Sequence, residues 1–537
     1  MGKKKNTLTE IAIPLVFCFG IVVGVIIGAS VDSTSIFRGS NDNIKKLNQV
    51  FTILNREYVD TISMTKILDN SITDILKKLD PHSVYIPASE RIEADEYLNG
   101  SFEGIGIEFN VFNDTIVVIQ VIADSPSKMA GLLVGDRILK VDSQNVANVG
   151  ISNTGVIKLL KGPRGSIVKL AVLRKNKNGP LDITIKRDRI IQKSVDVGYM
   201  IKPDIGYIKI NRFSKSTYTE FMDELNQLHK KGMQKLIIDL QGNPGGFLDQ
   251  TIELADEFLP ANKKIVFTEG HNKKYDSENF STSKGEFETG DLLILVNEES
   301  ASASEILAGA LQDNDRALII GRRTFGKGLV QTVFDLVDGS EMRLTISRYY
   351  TPSGRSIQKP YTDSEEYSKD ISSRFSRGEF FHSDSIRFKD SLKYYTTKGR
   401  PVFGGGGIMP DFFVPLDSSE NSEYLNNLFF AGTIQQFALD FVEKEKPKLT
   451  QMGLEKFCEN FVLTDAMLKQ IGSLGVKNKI VPDLEDLKQH RKSFEILIGA
   501  QIAKLVWGNV GFYSIYNESN EVLNEALKLF DQIYLLH

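Results

Sequence analysis

An uncharged apolar stretch over residues 11–30 follows Lys3, Lys4 and Lys5. About 20 apolar residues span a bilayer as a helix, and a basic flank stays on the cytoplasmic side. The pattern therefore predicts a cytoplasmic tail over residues 1–10, a signal anchor over 11–30 and everything after Asp32 on the far side. Cleavage as a signal peptide is the competing reading, because Gly28, Ala29 and Ser30 are small enough for processing. Residues 31–43 are polar and read as a linker. Across residues 44–78 apolar side chains recur at helical spacing (Leu47, Phe51, Leu54, Ile67, Leu68, Ile72, Ile75 and Leu76), which predicts two or three helices in an N-terminal helical region, residues 44–100. Within it Asp80-Pro81-His82-Ser83 reads as a turn.

Over residues 101–190 the texture changes to short alternating apolar runs punctuated by glycine, the pattern of a compact β-rich module. From residue 191 strands and helices alternate: strands over 205–210, 236–240, 292–296 and 317–321, helices over 218–229, 247–258 and 304–312. That alternation predicts an α/β core, residues 191–421, interrupted by a charged, aromatic and Ser-rich insertion or mobile loop over 361–398. Helical periodicity returns over residues 422–537. The fold class is multidomain α/β with helical N- and C-terminal regions.

The chain has 537 residues, room for about three domains. A formal net charge of −4 gives no bulk attraction to nucleic acid. The two cysteines, Cys18 and Cys458, are too few for a cysteine-based metal site. No cofactor and no metal is implied.

Gly104, Ile105, Gly106, Ile107, Glu108 and Phe109 open the β-rich module. Then come Asp124-Ser125-Pro126, Ala130-Gly131-Leu132 and Gly135-Asp136-Arg137-Ile138. In order and spacing this resembles PDZ domains. A glycine-rich entry lets backbone N–H groups face a carboxylate, and the strand after it offers an open edge for a peptide to extend. The resemblance implies that residues 104–109 bind the C-termini of protein or peptide substrates. Fusion of such a module directly before the core suggests a gate as well as a tether.

The richest signal is Glu299-Ser300-Ala301-Ser302-Ala303-Ser304-Glu305, followed by Gly326-Lys327-Gly328-Leu329-Val330-Gln331. A serine between a strand and a helix start faces the positive end of the helix dipole, which favours a developing oxyanion. The Ala303 N–H is a natural donor to it. A serine hydroxyl needs a base, and none of the six histidines lies near this segment. Lys327, flanked by glycines and apolar neighbours, can be desolvated and neutral. If the segment is extended, Gln331 lies on the same face as Lys327 and can orient it. The pair of segments resembles the active-site signature of the C-terminal processing peptidases, or tail-specific proteases, across residues 75–360. The resemblance implies a crotonase- or Clp-protease-like core, Ser302 as nucleophile in preference to Ser300 or Ser304, Lys327 as general base and Gln331 as its orienting partner.

The resemblance also implies that the Gly-rich turn after strand 236–240, Gln241-Gly242-Asn243-Pro244-Gly245-Gly246, supplies a second oxyanion donor. Pro244 has no N–H, which leaves Gly245 or Gly246, with Gly246 preferred. Gly404-Gly405-Gly406-Gly407 and His82 also recur in such enzymes and are read here as turns.

Three functions compete. The first is a Ser–Lys endopeptidase acting on extracytoplasmic proteins and held at the cytoplasmic membrane. The second is a catalytically inactive PDZ scaffold. The third is an acyl-CoA enzyme of the crotonase type. Intact Ser302, Lys327 and Gln331 argue against the second, the PDZ-like module and Lys327 against the third. The helical C-terminal region is suited to homo-oligomerisation or to an adaptor.

Overall fold

The computed structural model describes residues 41–175, 177–282, 285–386, 390–419 and 421–530. The expected tail and anchor lie outside the described residues. The chain divides into two compact units at Ile75/Leu76. The first holds the helix Asn41–Glu57 and most of Met64–Lys77. Ile44, Leu47, Val50 and Ile53 remain exposed on the former.

The second unit is organised around a six-stranded sheet in the order Val195–Lys202, Ile205–Ile210, Lys235–Asp239, Asp291–Val296, Leu318–Gly321, Phe412–Phe413. The first pair is antiparallel and the others are parallel. Leu236, Ile238, Leu292 and Ile294 pack with Phe221, Leu225, Leu254 and Leu307 from the helices Thr217–Lys230, Leu248–Asp256 and Ala303–Asp313. Ile237, Leu293, Leu295 and Ile320, on the other face, meet Val522, Leu523, Ala526 and Leu529 of the helix Glu521–Leu529. Both faces are covered, so these strands read as unbroken apolar runs rather than alternating ones. Burying each such side chain stabilises by about 1.5–3 kcal/mol. Glu521–Leu529 is thus a layer of the core sheet, although it falls in the stretch expected as a separate helical region.

A second sheet joins Val84–Ile86, Glu341–Tyr350, Lys264–Gly270 and Ser277–Phe280, with Leu329–Asp335 also paired to Glu341–Tyr350. Val84–Ile86 lies in the region expected to be helical, yet it pairs residue by residue with Arg343, Met342 and Glu341. The Asp80–Ser83 turn is therefore attached to the core.

The β-rich module is a sheet in the order Ile107–Phe112, Thr115–Val121, Arg137–Val141, Ile167–Leu173, Leu181–Lys186, with the helix Asn153–Leu160. Its two ends are zipped together, Ser101–Gly104 pairing antiparallel with Asp188–Ile191. In Thr115–Val121, Ile116 and Val118 point into the module's own core. Val117 and Ile119 point the other way, onto Phe112, Leu439 and Leu505. Leu439 belongs to the helix Thr433–Met452 and Leu505 to Arg491–Tyr516. Ion pairs Glu108–Lys504 (3.1 Å) and Lys175–Glu443 (2.7 Å) flank this contact.

The C-terminal helices have their own core, including Phe437, Val442, Phe457, Phe494, Ile498 and Ile502. Among the described residues one helical stretch, Arg491–Ser519, is long and apolar enough to cross a membrane by length and composition. Phe494, Ile498 and Ile502 are buried in that domain, and Gly508 (φ 69°) interrupts the helix.

Residues 361–398, expected as an insertion or mobile loop, include the helices Ser364–Ser368 and Asp370–Ser376. The fully buried Arg374 anchors them, donating to Glu379 (2.8 Å), Thr324 O (3.1 Å) and Arg323 O (2.6 Å).

Candidate active site

Strand Asp291–Val296 lies inside the parallel ladder, and after it the chain turns into the helix Ala303–Asp313. At the turn Ser302 has φ 54° and ψ −112°. A non-glycine residue in that region costs about 1–3 kcal/mol and persists only where its surroundings impose it. Here the surroundings are the neighbouring serines and Asn243. The Ser300 hydroxyl donates to Leu240 O (2.8 Å) and the Ser304 hydroxyl to Asn243 O (3.0 Å), and both side chains are buried. Ala301 N–H also donates to Asn243 O (2.9 Å). Of the three serines, Ser302 alone is partly exposed. The structure thus separates it from the two neighbours with which it is most easily confused.

Asn243, fully buried, shapes the glycine turn opposite. Its Nδ2 donates to Ile210 O (2.9 Å) and its Oδ1 accepts from Gly245 N–H (2.8 Å). The Gly245 N–H is therefore already engaged, which corrects its inclusion among the oxyanion donors. Gly245 matters through its bareness. A Cβ there would sit 2.7 Å from Ala301 O, 2.7 Å from Ser302 Cβ and 2.8 Å from Ala303 N. Among the described residues no acceptor takes up the Gly246 or Ala303 N–H. Beneath the turn, buried Lys209 reaches Gln241 O (2.5 Å) and Asp239 (3.1 Å), and Tyr207 donates to Asp239 (2.6 Å).

The serine and lysine segments meet at Glu305, which is fully buried on the first turn of Ala303–Asp313. Its Oε2 accepts from Ser302 N–H (2.8 Å) and Lys327 N–H (2.9 Å), its Oε1 from Gly326 N–H (2.7 Å) and the Thr324 hydroxyl (2.5 Å). Burial pushes its carboxyl up to about 7, and these four donors work against that rise. The Tyr349 hydroxyl, also buried, lies within hydrogen-bonding reach of Ser302 O (3.1 Å) and Lys327 O, which share its single proton. Sequence reasoning assigned Glu305 no role. Its signal was the Ser-x-x-Glu spacing of a capping box.

Burial holds the Lys327 ammonium below the ordinary lysine range, while Glu305 and Asp80 pull it back up. Gly326 (φ 91°) lets the lysine loop approach the glycine-rich turn, since a Cβ there would lie 3.1 Å from Gly407 N. Gln331 stands in the strand Leu329–Asp335 after a register shift between Val330 and Gln331. Its Nε2 donates to Thr345 (3.2 Å).

His82, read as a turn residue, lies within the electrostatic reach of Lys327. Its Nε2 is 2.7 Å from the Tyr367 hydroxyl, contributed by the 361–398 segment. Burial first, then the Lys327 and Lys359 charges, depress the imidazole to about 4, with Asp80 opposing. Lys359 lies over the rings of Phe325 (3.8 Å) and Tyr367 (4.2 Å).

In the β-rich module, Gly104, Ile105, Gly106, Ile107 and Phe109 line a groove of about 440 Å³ with Phe102, Ile157, Leu160 and Lys161. Glu108, expected among the peptide-contacting residues, is outside the groove and turns its side chain to Lys504. Strand alternation is the reason. Ile107–Phe112 is the edge of its sheet: among the described residues it pairs only with Thr115–Val121, and no strand takes its other edge.

An α/β core with a strained serine elbow, a desolvated lysine and a built-in PDZ module is the architecture of a serine peptidase. The description "Peptidase family S41" matches residues 204–366, "PDZ domain" matches 104–185, and a family of unknown function, DUF8443, matches 424–508. A carboxy-terminal-processing protease of Bartonella bacilliformis is 37% identical over 349 residues, covering 63% of this chain and 79% of that protein. A CtpA-like serine protease of Staphylococcus haemolyticus is 35% identical over 342 residues, covering 63% of this chain and 67% of its own. Among solved structures, a photosystem II D1 C-terminal processing protease is similar at 28% identity. It covers 58% of this chain and 83% of that one, with a TM-score of 0.35. The chain belongs to peptidase family S41, in the group of carboxy-terminal-processing serine proteases.

Proposed function

We propose that this protein is a Ser–Lys endopeptidase that captures extracytoplasmic proteins by their C-termini in the PDZ groove and cleaves them at Ser302. Neutral Lys327 accepts the Ser302 hydroxyl proton as Oγ attacks the scissile carbonyl. The oxyanion of the tetrahedral intermediate takes hydrogen bonds from the Ala303 and Gly246 N–H groups, at the positive end of Ala303–Asp313. Lys327 returns the proton to the departing amine, leaving an ester on Ser302. It then takes a proton from the water that hydrolyses that ester. Gln331 orients the lysine. Residues 3–5 and 11–30 carry the membrane attachment and the outward orientation of this reading.

The observation that supports it most is the shared carboxylate of Glu305, which brings the backbones of Ser302 and Lys327 to one oxygen. The test is cleavage of an unstructured reporter protein by the full-length chain, compared with Ser302→Ala and Lys327→Ala. Loss of at least about 10³-fold in kcat for both, with folding retained, is the expected result. Equal activity in all three would reject the dyad.

A further inference from the structure

The Asp80-Pro81-His82-Ser83 turn has no part in the proposed reaction, yet it is built into the strand behind the lysine. Asp80 is buried and accepts four hydrogen bonds. His82 N–H (2.8 Å), Ser83 N–H (2.8 Å) and the Thr345 hydroxyl (3.1 Å) bind Oδ1, and the Ser83 hydroxyl (2.6 Å) binds Oδ2. Ser83 Oγ in turn accepts from Thr345 N–H (3.1 Å). Thr345 and Asp80 are far apart in sequence, so these bonds dock the turn rather than merely shape it.

The direction of the chain of bonds comes from donor chemistry alone. An ionised carboxylate only accepts, and a threonine hydroxyl has one proton. Thr345 gives that proton to Asp80, so toward Gln331 it can only accept. Gln331 must then present Nε2 to Thr345, as it does at 3.2 Å. This fixes which way round the amide sits. The end left over is Oε1, an acceptor, which is what a lysine amine or ammonium needs in an orienting partner. The same Asp80 also acts on Lys327 through its charge. Of the carboxylates that favour the lysine's charged form, Glu305 approaches from the nucleophile helix and Asp80 from this turn. His82, Lys359, Tyr367 and Tyr349 are further titratable groups of the cluster, with Asp370 paired to Lys359 at 3.0 Å.

We propose that Asp80 is a positioning residue for the catalytic lysine, acting through Thr345 to lock the orientation of Gln331 and as the carboxylate that this turn docks into the cluster. The proposal rests on the Ser–Lys reading above. It separates into two effects that different substitutions remove. Asp80→Asn keeps an acceptor oxygen and removes the charge, so the acid limb of the kcat–pH profile should move to lower pH, with the plateau within about threefold of wild type. Thr345→Val keeps the charge and cuts the relay, so the plateau kcat should fall about 10- to 100-fold, with KM little changed and the limb unmoved. Thr345→Ser retains the hydroxyl and should restore the wild-type plateau.

The measurement is kcat and KM of the full-length chain on the reporter protein across pH, with thermal unfolding of each variant alongside. A purely structural role for the turn would lower the melting temperature without this split. An unmoved acid limb in Asp80→Asn, a wild-type kcat in Thr345→Val or a failed rescue by Thr345→Ser overturns the proposal, provided Ser302→Ala is inert in the same assay. An active Ser302→Ala would overturn the dyad itself, and the relay with it.

Discussion

The backbone amides of Ser302 and Lys327 converge on a single atom, Oε2 of Glu305, at 2.8 and 2.9 Å. The residues proposed as nucleophile and base are thus set by one buried carboxylate before either side chain is considered. Glu305→Gln leaves one acceptor oxygen for four donors and turns an NH₂ group toward two of them. Each orphaned buried donor costs about 1–3 kcal/mol, so the variant should melt several degrees lower and lose about 10²-fold in kcat. Removing the charge also removes support for the Lys327 ammonium, so any residual activity should have its acid limb at lower pH. Differential scanning calorimetry and a kcat–pH profile check these outcomes.

Lys327 must be neutral to accept a proton. Its folded-state pKa is lowered by burial. Activity should therefore rise with pH through a limb that lies below the ordinary lysine value of about 10.4. Lys327→Arg keeps a cation of similar reach but cannot deprotonate. It should be inactive at every pH, and a rising alkaline limb in that variant would contradict the assignment.

Adding one methyl group to the glycine turn separates its two roles. At Gly246 a Cβ would meet Phe213 O at 2.0 Å, so Gly246→Ala should unfold the turn and lower the melting temperature. At Gly245 the clash is with Ala301, Ser302 and Ala303. Gly245→Ala should therefore lose most of its kcat for a smaller change in stability. Paired melting and turnover measurements would show the split.

Much of this site was legible in local text. Ser302, between an apolar strand and a helix start, and Lys327, between two glycines, are recognisable because strand, turn and helix signals sit next to them. Glu305 was visible only as a capping residue, because a sequence does not say that a cap also holds a segment 21 or 22 residues away. Asp80 and His82 were read as a turn because their partners, Thr345 and Tyr367, are more than 250 residues distant. The expectation that Lys327 and Gln331 share a face assumed one extended segment from 327 to 331. The strand begins only at Leu329, so the placement of Gln331 shows in its bond to Thr345 across the ladder and not in the local text. Val84–Ile86 was missed because three residues give no periodicity to read.

The groove of the PDZ module and its opposite face should respond differently. Ile157 lines the groove, whereas Glu108 faces Lys504. Ile157→Asp should weaken binding of a peptide with an apolar C-terminal residue by about tenfold or more, the cost of a charge in an apolar pocket. Glu108→Ala should leave that affinity unchanged. Fluorescence anisotropy with free-acid and amidated peptides would test both, the amide being the weaker ligand.

The contact between the PDZ module and the C-terminal helices should draw its stability from apolar packing. Lys504 and Glu108 are partly exposed, and such ion pairs contribute about 0–1 kcal/mol. Lys504→Ala should therefore be nearly silent. Leu439 is 2% exposed against Phe112 and Val117. Leu439→Ala should cost about 2–5 kcal/mol, read by chemical denaturation.

The strand Thr115–Val121 belongs to two interiors at once, Ile116 and Val118 to one and Val117 and Ile119 to the other. A module cut out at residues 101 and 190 would carry the second set into water as a sticky stripe, and the remaining protein would keep the matching half at Leu439 and Leu505. Transplanting a PDZ module from another protein would need a new helical partner with it. In this chain the PDZ module is also masonry, and its sequence answers to two neighbours along a single strand.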